Sequence, residues 1–315
     1  MTDPIRTISP FADRLAAEVR RKRNSLCVGI DPRWERLPTE LKRRHGDGTL
    51  SAVARAYEEF GARILDVVAK LVPIVKLQSA FFEACGPEGF RAQARLLQRA
   101  RRLGLMTILD AKRNDIASTA AAYADAAFAG SVFDGQVHPV WQADALTVNP
   151  YLGRDAVEPF LQSARRFSGG LFVLVRTSNP GAGQFQDLPC DGKPLYLHVA
   201  EAVGAWNREN VGQCGFGDVG AVVGATHPSE LAAVRRALGE VWLLLPGYGA
   251  QGATADDLAP AFRSDGLGAV VNSSRGILFA YEPDERDWES AVKAATEKTI
   301  ADLQSTTPMA ALARD

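Results

Sequence analysis

Short runs of aliphatic residues, each followed by a longer amphipathic stretch, recur along nearly the whole chain and constrain the fold most. The runs are residues 26–30, 73–77, 105–109, 145–148, 171–175, 220–223, 241–245 and 269–271. Most are continuously apolar rather than alternating, the pattern of parallel strands covered on both faces. Helical spacing fills the intervals. Val53, Tyr57, Phe60, Ile64, Val67, Val68 and Leu71 follow Ser51, and further stretches cover 88–102, 116–128, 155–164, 195–210, 228–238 and 288–303. About eight such units predict a (β/α)8 TIM barrel, which needs roughly 250 residues. The chain has 315. Part of the surplus reads as an extra N-terminal helix, an arm over residues 1–24. Ser9 is its expected N-cap, Pro10 its first helical residue, and Phe11, Leu15 and Val19 its buried stripe. With no linker or low-complexity segment, residues 1–315 form one expected barrel domain, with 306–315 as a frayed tail. An open doubly wound sheet shares the alternation, because patterning does not report closure.

Charge narrows the function. Thirty-six Lys+Arg against 37 Asp+Glu leave a formal net charge of −1. That balance excludes a protein that coats nucleic acid through a basic excess. No apolar run reaches the ~20 residues of a membrane span. The N-terminus, with Asp3, Arg6, Asp13, Arg14 and the basic run Arg20–Arg23, lacks the apolar core of a signal peptide. Cys27, Cys85, Cys190 and Cys214 are scattered without a CxxC, so free thiols in the cytoplasm are expected. His45, His138, His198 and His227 lie in no metal-ligand spacing and point to no triad, so no metal is expected.

In a parallel barrel, chemistry sits where strands end and the following loops begin. Those ends carry Asp31-Pro32, Lys76, Asp110 with Lys112, Asn149-Pro150, Thr177-Ser178-Asn179, Thr226, Pro246-Gly247 and Asn272-Ser273-Ser274-Arg275. Asp and Lys dominate, and His is missing. Asp110 and Lys112 are two apart, so strand alternation would aim both into the mouth. Asp115 falls where the next helix starts. An ion pair closing the barrel top would use the same residues. Desolvating an inward-facing pair is costly, however, and that favours a chemical role.

Residues 247–252 spell G-x-G-x-x-G, and Asp265 lies near the distance of a ribose-binding acid. A dinucleotide fingerprint belongs to a first βαβ unit, whereas this one follows the seventh run. The place suits a phosphate site built from the last two loops. Pro246 opens the loop, its glycines bring backbone N–H groups close to the anion, and Gln251 adds a side-chain donor. Arg275, after the adjacent strand, can grip a phosphate bidentately.

Together these residues resemble orotidine 5′-phosphate decarboxylase, in its longer-chain subfamily. The resemblance covers nearly the whole barrel. It rests on Gly29-Ile30-Asp31-Pro32, Val75-Lys76-Leu77-Gln78-Ser79, Asp110-Ala111-Lys112-Arg113-Asn114-Asp115-Ile116, Thr177-Ser178-Asn179-Pro180-Gly181, Pro246–Gly252 and Ser274-Arg275-Gly276. Asn114 stands where the subfamily commonly has Gly. The Asp-x-Lys-x-x-Asp core is shared with metal-assisted sugar-phosphate lyases, which resemble each other in placing a carboxylate where this chain has Lys76. The resemblance implies decarboxylation of orotidine 5′-monophosphate to UMP and CO2, without metal or organic cofactor, in a homodimer with shared sites. Lys112 would protonate C6, and Asp110 would face the substrate carboxylate. Asp115 and Thr119 would enter from the neighbouring subunit. Lys76 and Asp31 would bind ribose hydroxyls and orient Lys112. Ser178 would meet the pyrimidine, and Gln251, Ser274 and Arg275 the phosphate. A metal-dependent sugar-phosphate lyase and a non-catalytic phosphometabolite-binding barrel are the competing expectations.

Overall fold

The computed structural model describes residues 9–224, 228–249 and 254–313. Eight strands close into a barrel: β1 Leu26–Ile30, β2 Ile74–Gln78, β3 Met106–Arg113, β4 Ala145–Val148, β5 Gly170–Arg176, β6 Val219–Val223, β7 Leu243–Pro246 and β8 Ala269–Ser273. Every neighbouring pair is parallel, and β1 meets β8 at Leu26↔Val271, which removes the open-sheet alternative. Helices α1 Phe11–Lys22, α2 Leu50–Val68, α3 Gly86–Arg102, α4 Ala117–Ala127, α5 Arg154–Arg166, α6 Leu195–Arg208, α7 Pro228–Ala237, α8 Ala255–Leu258 and α9 Trp288–Thr306 follow the alternation. Several strands run past their apolar stretch. β2 reaches Gln78, β3 Arg113 and β8 Ser273, because ladder hydrogen bonds continue after the side chains turn polar.

Helix α1 packs beneath the barrel. Phe11 meets Phe172 of β5 edge to face, and Arg14 pairs with Asp144 just before β4. Its N-cap is Pro10, without a side-chain cap bond, rather than the expected Ser9. Ser9 instead offers its carbonyl oxygen to Arg14 Nε, so the Arg14 anchor sets the helix start. The expected frayed tail is docked through Ala313. Residues Pro308–Ala313 form a 3-10 helix whose Met309 and Leu312 are buried, and Met309 Sδ accepts from the backbone N–H and hydroxyl of Ser25 below β1. Two apolar side chains suffice to hold so short a segment against the barrel floor.

Several short elements went unpredicted, among them the helix Thr39–His45, the strand pair Pro189–Cys190 and Lys193–Pro194, and one hairpin. Ser131–Phe133 and Gln136–His138 form an antiparallel hairpin between α4 and β4. Its signal was present, since Asp134 and Gly135 adopt φ of 50° and 74°, the backbone of a type I′ turn.

Candidate active site

The carboxylate of Asp110, 5% exposed on β3, organises the barrel mouth. Lys76 of β2, equally buried, places Nζ 2.9 Å from Asp110 Oδ2 and 3.7 Å from Asp31 Oδ1. Gln78, two residues on, donates Nε2 to the same Oδ2 at 2.9 Å. Lys112 Nζ donates to Oδ1 at 2.8 Å, and Thr147 Oγ1 of β4 donates to it at 2.9 Å. Four donors thus fill the lone-pair sites of one carboxylate. Burial alone would push Asp110 up, but the Lys76 and Lys112 ammoniums and their hydrogen bonds hold it well below the usual carboxylate range. Burial likewise opposes the charge on Lys76. Asp110 and Asp31 outweigh it and keep Lys76 protonated above the ordinary lysine range. Beside this pair, burial pushes the Cys27 thiol up to about 12, so it is no nucleophile at neutral pH.

Asp110 and Lys112 do converge, but simple alternation is not the cause. β3 pairs with β4 at Ile108↔Ala145 and Leu109↔Leu146, then slips so that Arg113 pairs with Val148. Within this bulge Lys112 takes φ of 45°, a left-handed conformation that costs of order 1 kcal/mol or more outside glycine. Its N–H donates to Thr147 Oγ1 at 2.9 Å. The side chain is 45% exposed while its tip bonds a buried carboxylate. Lys112 therefore reaches in from the rim rather than rising from the barrel wall.

The Asp-Lys array forms one end of a cavity of about 460 Å³. Leu174, Val222 and Leu244 give it apolar lining, and Ser178, Pro246, Ser274 and Arg275 also line it. Gly29 of β1 is required here. A Cβ at that position would lie 2.0 Å from Ser274 Oγ and 2.9 Å from Asn272 Oδ1, so only glycine lets Ser274 sit where it does. Eight expected site residues thus share one cavity: Asp31, Lys76, Asp110, Lys112, Ser178, Pro246, Ser274 and Arg275.

Asp115 and Thr119 do not line it. Asp115 Oδ1 accepts from the Ile116 N–H just before α4, and Thr119 is exposed on the first turn of that helix. Gln251 and Thr226 lie outside the described residues. Asp265 pairs with Arg263 within its own loop, which removes it as a ribose ligand. Asn149 accepts from Tyr151 N–H as a turn residue. Sequence reasoning gave no role to Gln78, Thr147 or Tyr248, and none to Asn272 beyond its place at a strand end, yet all four line the cavity. Gln78 obeys the same two-residue spacing from Lys76. Thr147 lay hidden inside the apolar run 145–148, whose bounds match β4, so it did not count as a polar strand end.

A closed parallel barrel with alternating ammonium and carboxylate groups at one end of its mouth and hydroxyl and guanidinium groups at the other defines an enzyme of the Asp-x-Lys-x-x-Asp class, suited to proton transfer beside an anionic substrate. Residues 24–287 match the model of the Orotidine 5′-phosphate decarboxylase / HUMPS family, and the chain belongs to that family. It is 48% identical over 293 residues to an orotidine 5′-phosphate decarboxylase of Rhodopirellula baltica, covering 91% of this chain and 96% of the relative. A relative of the same name from Caldicellulosiruptor saccharolyticus is 40% identical, with 86% and 90% covered. Among solved structures, the OMP decarboxylase of Leishmania donovani superposes with a TM-score of 0.72 at 34% identity, over 94% of this chain and 98% of that one. No helix among the described residues is long and apolar enough to cross a membrane.

Proposed function

We propose that this chain decarboxylates orotidine 5′-monophosphate to UMP and CO2 in pyrimidine biosynthesis, with Lys112 as the proton donor. The observation that carries this is the 2.8 Å bond from Lys112 Nζ to a buried, ionised Asp110, in a cavity that Ser274 and Arg275 also line. The substrate carboxylate lies against Asp110. As the C6–CO2 bond breaks, its electron pair stays on C6 and takes the proton from Lys112, whose amine is then reprotonated from solvent. Two like charges ~4 Å apart repel by roughly 4 kcal/mol at an effective dielectric near 20. That is about a thousandfold in rate, too little for a vinyl-carbanion barrier. Stabilisation of the developing carbanion by a preorganised Lys112 carries more.

Remote groups hold the substrate for this step. Ser274 and Arg275, with Gln251, bind the phosphate, and Ser178 meets the pyrimidine. Asp31 and Lys76 take ribose hydroxyls. In support, Asp31 Oδ1 is buried with no hydrogen-bond donor among the described residues, which suits an acceptor kept for a substrate hydroxyl. Phosphate binding energy is spent on closing and aligning the site.

The functional unit in this reading is a homodimer with shared sites. Asp115 and Thr119 do not line their own cavity. Around them lie exposed apolar side chains, Ile116 and Tyr123 on the α4 segment and Val132, Phe133 and Val137 on the hairpin. A two-stranded hairpin with such a surface is marginal alone and is stabilised by packing against another chain. A second copy covers this face and receives Asp115 and Thr119 in its own mouth.

A metal-dependent sugar-phosphate lyase fits less well, because the Lys76 ammonium already stands between Asp31 and Asp110. The test is loss of orotidine 5′-monophosphate absorbance in the presence of a chelator. Full activity supports the proposal. Activity lost with chelator and restored by metal favours the lyase, and tight nucleotide binding without turnover favours a binding barrel.

A further inference from the structure

Among the described residues, Thr147 is the one neutral side chain that touches both members of the Asp110–Lys112 pair in hydrogen bonds. It is 1% exposed, on β4, where the ladder to β3 slips. Its hydroxyl has a single proton, and donating that proton to Asp110 Oδ1 leaves its oxygen to accept from the Lys112 N–H. The bulge has removed that N–H from the regular strand ladder, so the Thr147 oxygen is the acceptor that satisfies it. The left-handed φ of Lys112 aims the side chain back across the mouth. Such a conformation persists only where neighbours over-determine it.

We propose that Thr147 is a positioning residue of the reaction: its hydroxyl locks the backbone turn that delivers the Lys112 ammonium and, through the same atom, fixes the Asp110 carboxylate that receives it. The inference rests on the proposed decarboxylation. Thr147 acts through both groups and has no need to touch the reacting carbon. Its loss affects the transition state, in which Lys112 must be aligned on C6, far more than ground-state binding, which is dominated by the distant phosphate end.

The test compares Thr147→Val, nearly isosteric but without the hydroxyl, with Thr147→Ser, which keeps it. Two readouts are taken: steady-state kinetics on orotidine 5′-monophosphate and hydrogen exchange at the Lys112 amide. Misalignment on the scale of an ångström costs roughly a hundredfold. Thr147→Val should accordingly lower kcat by about ten- to a hundredfold, with KM and UMP affinity within about threefold of wild type. The Lys112 amide should lose protection in that variant, and Thr147→Ser should restore both readouts. A merely structural threonine would lower thermal stability without this split between kcat and KM. If the valine variant does not fold, Thr147→Cys, of similar size and a weak donor, carries the same expectations. A kcat within twofold of wild type, or unchanged Lys112 protection, overturns the inference. Exchange does not depend on the reaction. Wild-type protein that leaves the nucleotide intact, yet protects Lys112 only with a hydroxyl at 147, sinks the functional proposal and not the positional link.

Discussion

Lys76 Nζ and Asp110 Oδ2 stand 2.9 Å apart at the mouth of the barrel, with both side chains almost wholly out of water. A buried pair of this kind is a poor device for stability, since desolvation offsets most of its attraction. Its geometry serves the site instead, by keeping one carboxylate ionised beside the Lys112 amine, the proposed proton donor.

Removing one partner of that pair should be costly. Lys76→Met is expected to destabilise the fold by about 3–5 kcal/mol at neutral pH, because Asp110 is left under-compensated. The pH dependence follows from the two shifts. Asp110 is depressed in the fold, so its contribution is present above about pH 4 and lost as acid protonates it. Lys76 is raised, so its contribution is present below about pH 10 and lost as the pH climbs past the ordinary lysine value. Urea unfolding should therefore show a constant gap between variant and wild type from about pH 5 to 9, narrowing on either side. A gap that grows toward acid would contradict the depressed carboxylate.

Lys112→Ala should abolish turnover while leaving UMP binding largely intact. Lys112 is half-exposed and tethered by its backbone to Thr147, so truncating its tip disturbs the barrel little. Calorimetric titration with UMP beside an absorbance assay tests the two halves of the statement. Retention of a tenth of wild-type kcat would mean that the proton comes from elsewhere.

At the proposed phosphate end, Arg275→Ala should weaken the nucleotide far more than the bare nucleoside. Equal losses for both ligands would give Arg275 a structural role.

Gly29→Ala should act on the same end indirectly, by displacing the Ser274 hydroxyl that a Cβ would overlap. Losing one hydrogen bond to a charged group corresponds to roughly tenfold in affinity or more. KM for the nucleotide should rise by about that factor while affinity for the nucleoside changes little. An unchanged KM would show that the loop makes room without losing its contact.

Shared sites predict complementation. Lys112→Ala and Asp115→Ala homodimers should both be nearly inactive. In a mixed dimer one site keeps its own Lys112 and borrows an intact Asp115, while the other loses both. Random re-association makes half the dimers mixed, so activity should return to roughly a quarter of wild type. If subunits demonstrably exchange and nothing returns, Asp115 acts within its own chain or not at all.

Local chemistry alone was enough for much of this protein. Continuous apolar runs such as Leu171–Val175, short and set between helical stretches, read as strands covered on both faces, and the helical stripe from Val53 to Leu71 as a helix packed on them. Once the strands were placed, polar residues at their ends were candidates by position, and Asp31, Lys76, Asp110, Lys112, Ser178, Pro246, Ser274 and Arg275 do share one cavity. The Asp-Gly turn of the hairpin escaped that reading, because only the paired strands on either side make the turn unambiguous.

What the tertiary structure decided is everything that depends on a partner distant in the chain. Closure between β1 and β8 joins residues more than two hundred positions apart, and no window of sequence reports it. The seat of α1 was decided by Arg14 meeting Asp144, and the docked tail by Met309 meeting Ser25. Most telling is β3, where local alternation placed Lys112 on the right side for the wrong reason. Its true course is set by a slip against β4 and by the hydroxyl of Thr147, 35 residues on. Side-chain periodicity is a property of a strand's own backbone, but a bulge is a property of two strands in register, and register exists only once the barrel has closed.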